Sequence, residues 1–306
     1  MKHVTVLLHE SIDNLAINPR DIIIDGTLGG GGHSEEILKR YRDDNLTMIG
    51  IDLDQDALTR SKERLQPLLE STDTKMYFIQ DSFRNLDKAL ALAHCDHVDK
   101  ILLDLGLSSF QLEESGRGFS FKKDEPLIMS FDKEGKGNDS KLSVYDIVNS
   151  FEEEHIADII YGYGEESFSR RIARAIVLRR EVTPFKTTFD LADTIKESVP
   201  VWYRKGKIHP ATKTFQALRI AVNDELGALR EALSKGFNML SSEGRMVIIS
   251  FHSLEDRIVK VFFKELVKEE KAELISKKPI TPSSLEVKEN PRSRSAKLRI
   301  IKKLTT

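Results

Sequence analysis

Short apolar runs alternate with longer stretches of helical periodicity in the first third of the chain. Strands are predicted at 21–25, 47–53, 75–81 and 100–105, and helices from 34, over 56–69 and near 86–93. The strand segments are apolar almost throughout, which is typical of parallel strands covered on both faces. This βαβαβαβ order predicts a Rossmann-like α/β fold with a doubly wound sheet, which would bind a ligand outside the carboxyl ends of its strands.

The pattern changes after residue 112. Segments 117–121 and 133–141 have the composition of loops, and 142–199 show helical periodicity without a strand. The remaining predicted elements are a long helix over 212–240, a strand over 245–251, a helix capped by Ser253 and Asp256, an exposed helix end over 268–278, and a last strand over 297–301. We therefore predict an all-helical substrate-recognition subdomain at 113–210, inserted into a discontinuous α/β domain of 1–112 and 211–306.

The loop after the first strand carries the strongest chemical signal. It reads Asp25-Gly26-Thr27-Leu28-Gly29-Gly30-Gly31-Gly32-His33-Ser34, with four consecutive glycines that allow a ligand to approach the backbone. The spacing matches neither the dinucleotide fingerprint nor the P-loop. An aspartate at the strand end would repel phosphate but suit an ammonium or sulfonium, and S-adenosylmethionine carries both. The alternative is a glycine-rich turn that only reverses the chain.

Acidic or aromatic residues follow the other predicted strands. Asp52 falls where an acidic side chain can accept hydrogen bonds from both ribose hydroxyls of an adenosine, although a capping aspartate is the alternative. Phe83 could form a wall beside the adenine or belong to the core. Asp104 ends the fourth strand, where the cofactor and the substrate should meet. Asp54 is predicted to cap the following helix.

Composition sets wide bounds. The 306 residues are 40% hydrophobic and 31% charged, which fits one elaborated domain or two. No window approaches the ~18 consecutive apolar residues of a membrane span, and we expect a cytoplasmic location. The single Cys95 excludes an internal disulfide and a zinc ribbon. A net charge of −2 excludes a globally basic nucleic-acid binder, so RNA recognition would depend on local patches.

Motifs along nearly the whole chain resemble the bacterial 16S ribosomal RNA (cytosine-N4)-methyltransferase family, which modifies a cytosine of the decoding centre. Besides the glycine loop, the matching segments are His3-Val4-Thr5-Val6-Leu7-Leu8, Asp104-Leu105-Gly106-Leu107-Ser108-Ser109, Arg117-Gly118-Phe119-Ser120-Phe121, Tyr163-Gly164-Glu165-Glu166, His209-Pro210-Ala211-Thr212, Thr214-Phe215-Gln216-Ala217-Leu218-Arg219, Ser250-Phe251-His252-Ser253-Leu254-Glu255-Asp256-Arg257 and Asn290-Pro291-Arg292-Ser293-Arg294-Ser295. So many motifs in order make a chance match improbable.

The resemblance implies a class I S-adenosylmethionine-dependent methyltransferase fold with a helical insertion after the fourth strand. It places the cofactor contacts on Gly31, Gly32, His33, Asp52, Phe83, Asp104 and Gln111. The chain departs from the family pattern at Phe110, where a proline is common, and at Ile128 and Ser130, where an acid and a base are usual. The departures at Ile128 and Ser130 put in doubt a role in substrate binding for the loop that contains them.

The implied reaction is methyl transfer to the exocyclic N4 of a cytosine, which depends mainly on positioning the amino group against the methyl carbon. No metal is required, and nothing in the chain has metal-ligand spacing. The candidate catalytic residues are Asp104, Ser108, Ser109 and His252. For His252 the alternative is a structural hydrogen bond in a tight loop.

A cytosine in a folded particle must leave its stack, so the predicted partner is 16S ribosomal RNA within the small subunit. Arg204, Lys205, Arg292 and Arg294 are the candidate RNA contacts, although any one basic run is more often a solvated face. A non-catalytic RNA-binding assembly factor with a retained nucleoside pocket is the main alternative function. A nicotinamide-dependent oxidoreductase would need the missing dinucleotide fingerprint. The sequence leaves the oligomeric state open, a homodimer included.

Overall fold

The computed structural model describes residues 4–107, 109–132 and 142–305, and the chain divides into two compact units. Met1–Gly106 and Leu226–Thr306 form the first, here called the α/β unit. Leu107–Glu225 form the second, here called the helical unit. The helical unit begins six residues before the predicted insertion at 113–210 and ends after it, since helix Ala211–Asn223 packs within the helical unit.

The helices are numbered in chain order. They are α1 (Leu8–Leu15), α2 (Gly32–Arg40), α3 (Gln55–Leu69), α4 (Leu86–Leu92), α5 (Ser109–Glu113), α6 (Val144–Ser150), α7 (Glu153–Gly164), α8 (Ser169–Val182), α9 (Thr188–Ser198), α10 (Val201–Arg204), α11 (Ala211–Asn223), α12 (Glu225–Met239), α13 (Ser253–Lys268) and α14 (Ser284–Glu289). None of them, within the described ranges, is long and apolar enough to cross a bilayer.

The α/β unit is built on one seven-stranded sheet. Its strands are β1 (Ile22–Asp25), β2 (Thr47–Asp52), β3 (Lys75–Gln80), β4 (Val98–Asp104), β5 (Leu240–Ser250), β6 (Ala272–Leu274) and β7 (Lys297–Lys303). They lie in the order β3-β2-β1-β4-β5-β7-β6. Strands β1 to β5 are parallel to one another, and β7 runs antiparallel to β5 and β6. The predicted Rossmann-like α/β fold class is confirmed.

Successive strand residues point to opposite faces of this sheet, and both faces are buried. In β1, Ile24 joins the apolar layer that includes α4, α12 and α13, whereas Ile23 joins the layer that includes α1, α2 and α3. In β4, Leu103 and Leu102 divide between the two layers in the same way. This two-sided burial explains why the strands are apolar without alternation.

The helical unit has a hydrophobic core of its own, formed by residues of α6 to α9 and α11 together with the loop around Leu127. Helix α7 packs against α8 and α11, and α9 packs against α8. Gly164, the last residue of α7, allows α7 and α11 to come close, since a Cβ atom there would lie 2.7 Å from the backbone oxygen of Lys213.

Three predicted elements differ from the structure. The long helix over 212–240 is two helices, because Asp224 adopts a left-handed conformation (φ 45°) that ends α11. The segment 268–278, predicted as a helix end, contains β6, whose three residues are too few to show strand alternation. The cap of α13 is His252 rather than Ser253, and its bonding partner is Glu255 rather than Asp256.

The close approach of α7 and α11 predicts opposite effects for two glycines of the same helix. Gly164→Ala should lower the free energy of unfolding by about 1 to 3 kcal/mol, because the added methyl group meets backbone that cannot move aside easily. Gly162→Ala, which adds a methyl group in open space, should raise it by up to about 1 kcal/mol. Urea unfolding followed by the fluorescence of Trp202, in the same unit, measures both. Equal effects of the two changes would contradict this packing.

Candidate functional site

The glycine loop connects β1 to α2 at the carboxyl edge of the sheet. Gly29 (φ 52°) and Gly31 (φ 72°) both have left-handed backbone conformations, which glycine adopts at no steric cost. Gly31 is also the N-terminal cap of α2, and its N–H donates to the carbonyl of Leu28 at 2.7 Å. Two of the four consecutive glycines are therefore required by the turn itself.

Side chains from β2 and α3 fix the loop backbone. Asp52 accepts a hydrogen bond from the Gly29 N–H at 2.8 Å, and Ser61 donates to the Gly29 carbonyl at 2.6 Å. Arg64 donates to the Gly30 carbonyl at 2.8 Å. The second oxygen of Asp52 accepts the N–H of Asp54 at 2.8 Å. Each carboxylate oxygen has a further acceptor site, so the predicted contact with a ribose remains available to Asp52.

Gly32 has a packing role that the glycine run alone does not reveal. A Cβ atom at this position would lie 2.0 Å from the Thr5 hydroxyl oxygen, so the N-terminal segment lies directly against the start of α2. Thr5 belongs to one of the motifs that carry the family resemblance, and that motif was the available signal. His33, the next residue of α2, is buried with 5% of its surface exposed.

The loop is also tied to β1 and β4. Asp25 is buried and accepts hydrogen bonds from the Ser34 hydroxyl at 2.7 Å and the Thr27 N–H at 3.4 Å. The Thr27 hydroxyl in turn accepts the N–H of Asp104 at 2.6 Å. Asp25 is thus committed to holding the start of α2, whereas Thr27 sets the distance between the loop and the end of β4.

Asp104 provides the test of whether this edge fits a cationic ligand. Its Oδ1 atom is buried and has no hydrogen-bond partner among the described residues. Burial raises the pKa of its carboxyl to about 7, the Gly106 N–H opposes that rise, and the charges of Asp25 and Glu255 add to it. An ionised carboxylate in this position is costly unless a donor or a positive charge faces it. An ammonium or sulfonium group meets that requirement.

Two further carboxyl groups at this edge also have raised pKa values. Burial raises the pKa of Asp25 to about 6 and that of Asp52 to about 6, against the opposing hydrogen bonds that each accepts. Asp25, Asp52 and Asp104 end β1, β2 and β4, which are adjacent in the sheet. The carboxyl edge of the α/β unit is therefore a region of concentrated negative potential over a glycine-rich turn.

His252 and Glu255 form the N-terminal capping box of α13. The Nδ1 atom of His252 accepts the N–H of Glu255 at 3.4 Å, and its Nε2 atom lies 3.0 Å from a Glu255 carboxylate oxygen. Glu255 also accepts the N–H groups of Phe251 at 2.8 Å and His252 at 3.2 Å. These contacts correspond to the structural alternative weighed for His252, while its proposed role as a proton acceptor stays a prediction.

The remaining candidate residues are divided between the two units. Phe83 begins a short 3₁₀ helix, Phe83–Asn85, and packs partly against the core of the α/β unit. Gln111 lies in α5 of the helical unit, and Ser109 is the first residue of that helix. Ser108 lies outside the described residues.

The candidate RNA contacts are all at the surface. Arg292 and Arg294 are exposed in the 3₁₀ helix Pro291–Ser295 of the α/β unit, and Lys205 is exposed in the helical unit. Arg204 is exposed as well, but it donates to the backbone carbonyls of Val199 at 3.0 Å and of Glu197 at 2.6 Å. It therefore satisfies carbonyl groups at the end of α9, a role that the sequence did not indicate.

The loop with the two departures from the family pattern keeps its shape through backbone contacts. Asn223 donates to the Met129 carbonyl and accepts the Phe131 N–H, each at 2.8 Å, and Arg117 donates to the Phe131 carbonyl at 2.8 Å. Neither Ile128 nor Ser130 contributes a side chain to these bonds. The Ser130 hydroxyl donates to the Asp132 carbonyl at 3.0 Å, so the departure at this position adds a local bond within the loop, whereas Ile128 is an exposed apolar side chain.

The raised pKa of Asp104 predicts a pH-dependent gain in stability on its removal. A carboxyl group with a raised pKa destabilises the fold increasingly as the pH rises from about 4 to its folded pKa of about 7. Asp104→Asn should therefore raise the unfolding temperature by several degrees at pH 8, and by less than half as much at pH 5. Calorimetry at both pH values measures this, with the exposed Asp43→Asn as the control for charge removal. An equal rise in unfolding temperature at both pH values would contradict the raised pKa of Asp104.

Comparison with known proteins identifies the family. Residues 1–304 match the MraW methylase family. A ribosomal RNA small subunit methyltransferase H from Clostridium botulinum (strain Kyoto / Type A2) is 45% identical over 318 residues, covering 99% of this chain and 99% of that protein. Its counterpart from Treponema denticola is 46% identical over 318 residues, covering 99% and 97%.

Among solved structures, an rRNA methylase from Streptococcus thermophilus aligns over 99% of both chains with a TM-score of 0.44 at 12% identity, a likeness that adds nothing to the family assignment. The resemblance found in the motifs is confirmed by the match over nearly the whole chain. The protein is a methyltransferase whose methyl donor is S-adenosylmethionine, and the chain belongs to the MraW methylase family.

Proposed function

We propose that this protein transfers a methyl group from S-adenosylmethionine to the exocyclic N4 of a cytosine in the 16S ribosomal RNA of the small subunit, at the decoding centre. The observation that supports the donor site is the buried Oδ1 atom of Asp104 beside the glycine loop, in a region of negative potential. The relatives named ribosomal RNA small subunit methyltransferase H support the substrate. Methylation of that substrate would take place in the cytoplasm.

The proposed donor site combines a backbone surface with acidic side chains. Gly31 and Gly32 present the backbone at the start of α2, and His33, Gln111 and Phe83 are assigned by family resemblance. Asp52 would accept hydrogen bonds from the ribose, since the bonds it makes to Gly29 and Asp54 already fix its orientation.

S-adenosylmethionine supplies a methyl carbon attached to positively charged sulfur. The task of the protein is to hold N4 in line with that carbon, to draw its N–H bonds aside and to take up the proton that it loses. Asp104 is the first choice for a hydrogen-bond acceptor, because its Oδ1 atom is buried and has no partner in the described part of the chain. Ser108, Ser109 and His252 remain further candidates.

RNA recognition is the proposed role of the helical unit and of the basic patches. A base held in a stack cannot present N4 to a methyl carbon, so we expect the target cytosine to be splayed out of its helix. Arg292, Arg294, Arg204 and Lys205 are the proposed phosphate contacts. Because Arg204 already caps α9, its loss would also affect the stability of the helical unit.

The decisive experiment is transfer of labelled methyl to purified small subunits, naked 16S ribosomal RNA and DNA, with nucleoside mass spectrometry of the product. We expect N4-methylcytidine in the small subunit. Binding of the donor without transfer to any of the three would overturn the proposed substrate.

Asp104→Asn tests the chemical role in the same assay. We expect turnover to fall by about 100-fold or more, as for loss of an acid–base group, with a much smaller change in donor affinity measured by calorimetry. The amide keeps the shape of the side chain, so folding is preserved. Equal losses in turnover and in affinity would make Asp104 a binding residue only.

Charge reversal tests the RNA patch of the α/β unit. The double change Arg292→Glu and Arg294→Glu should weaken binding to the small subunit and reduce the salt slope of the binding constant by about 1 to 2 units. Lys62→Glu with Lys88→Glu, two exposed positions on α3 and α4, applies the same charge change elsewhere in the unit. A salt slope equal to that of this control would remove the two arginines from the RNA contact.

A further inference from the structure

Three aromatic rings form a cluster at the surface of the helical unit. Trp202 of α10 is 69% exposed, although a tryptophan of this size is usually well covered. Its ring meets that of Phe168 edge-on at 5.9 Å and that of Tyr203 at 5.7 Å, and Phe168 and Tyr203 contact each other at 4.9 Å. We call Phe168, Trp202 and Tyr203 the aromatic cluster.

A buried carboxylate fixes the two rings that support Trp202. Glu166 is fully buried and accepts the Tyr203 hydroxyl at 2.5 Å through one oxygen and the Phe168 N–H at 2.9 Å through the other. Burial, together with the hydrogen bond to Glu166, raises the pKa of Tyr203, so the hydroxyl stays a donor. Glu166 therefore fixes the Tyr203 ring through its hydroxyl and the backbone of Phe168, and Trp202 packs against both rings while most of its own surface is exposed.

Exposed cationic side chains flank the cluster along the chain. Arg170 and Arg171 follow Phe168 in the first turn of α8, and Lys205 and Lys207 follow Tyr203. The first turn of a helix favours acidic side chains, and that of α8 has none, so helix stability does not account for these two arginines. Exposed cationic side chains close in the chain to exposed rings suit a ligand that carries phosphates next to a flat apolar group.

We propose that the aromatic cluster is a stacking platform for one unpaired nucleotide of the ribosomal RNA, with the flanking arginines and lysines contacting its neighbouring phosphates. Exposed aromatic rings beside cationic side chains bind single-stranded RNA in this way, because every base has a face that can stack. The proposal rests on the proposed function, since it names a contact to the same substrate outside the target cytosine. It gives a function to the exposed ring of Trp202, which packing within the fold leaves largely uncovered.

The chain contains a single tryptophan, so its fluorescence reports on this surface alone. A short oligouridylate should quench the fluorescence of the full-length protein, whereas an abasic ribose-phosphate chain of the same length should bind more weakly and leave it unchanged. Trp202→Ala should weaken oligouridylate binding by about 10-fold, measured by the anisotropy of labelled RNA, and Trp202→Phe should restore most of the loss. Tyr161→Ala, which removes a ring that is 66% exposed on the acidic helix α7, is the matched control.

Oligouridylate that binds without quenching, or that binds Trp202→Ala as tightly as the unaltered protein, would overturn the stacking platform. A raised KM for small subunits in Trp202→Ala without any change in oligouridylate binding would assign the surface to a ribosomal protein and overturn it as well. Methyl transfer by the unaltered protein is measured separately. Quenching without methyl transfer would support the stacking platform and contradict the proposed function. Methyl transfer without quenching would support the proposed function and contradict the stacking platform.

Discussion

The hydrogen bonds that tie the glycine loop to the neighbouring strand ends are the constraint on which the candidate site depends. Gly29 is held by Asp52 at the end of β2, and Thr27 is held by the backbone of Asp104 at the end of β4. A loop with so few side chains would otherwise sample many conformations, since glycine loses more backbone entropy on ordering than any other residue. These bonds give the turn one shape before any ligand arrives.

Burial of these acidic residues lowers the stability of the fold. Carboxyl groups at the ends of three adjacent strands are partly or wholly buried, and burial raises their pKa values, so their ionisation costs more in the fold than in water. Two apolar layers cover the faces of the same sheet, and their burial favours folding against this cost. A site under such strain is typical of functional positions, where stability is given up for electrostatic preorganisation.

Sequence reasoning predicted the sheet well because its strands are buried on both faces, so each left a continuous apolar run. It missed β6, which has three residues and is fixed by pairing with β7, and it missed the break at Asp224, because a left-handed aspartate leaves little trace in hydrophobic periodicity. In the site, Asp52 and Asp104 could be chosen from their places at strand ends. The contact of Thr5 with Gly32 and the hydrogen bond from Tyr203 to Glu166 could not, because each joins residues far apart in the chain.

The negative potential at the carboxyl edge of the sheet also bears on how a catalytic cycle would end. In the proposed reaction the positive charge of the sulfur disappears when the methyl group leaves, while the carboxyl groups of Asp25, Asp52 and Asp104 stay where the fold holds them. The spent donor is then neutral at sulfur and keeps only its ammonium group, so the attraction between it and these carboxyl groups is weaker than for the donor. The spent donor would therefore bind less tightly than the donor itself, so the acidic residues that attract the donor would not hold the product with the same strength.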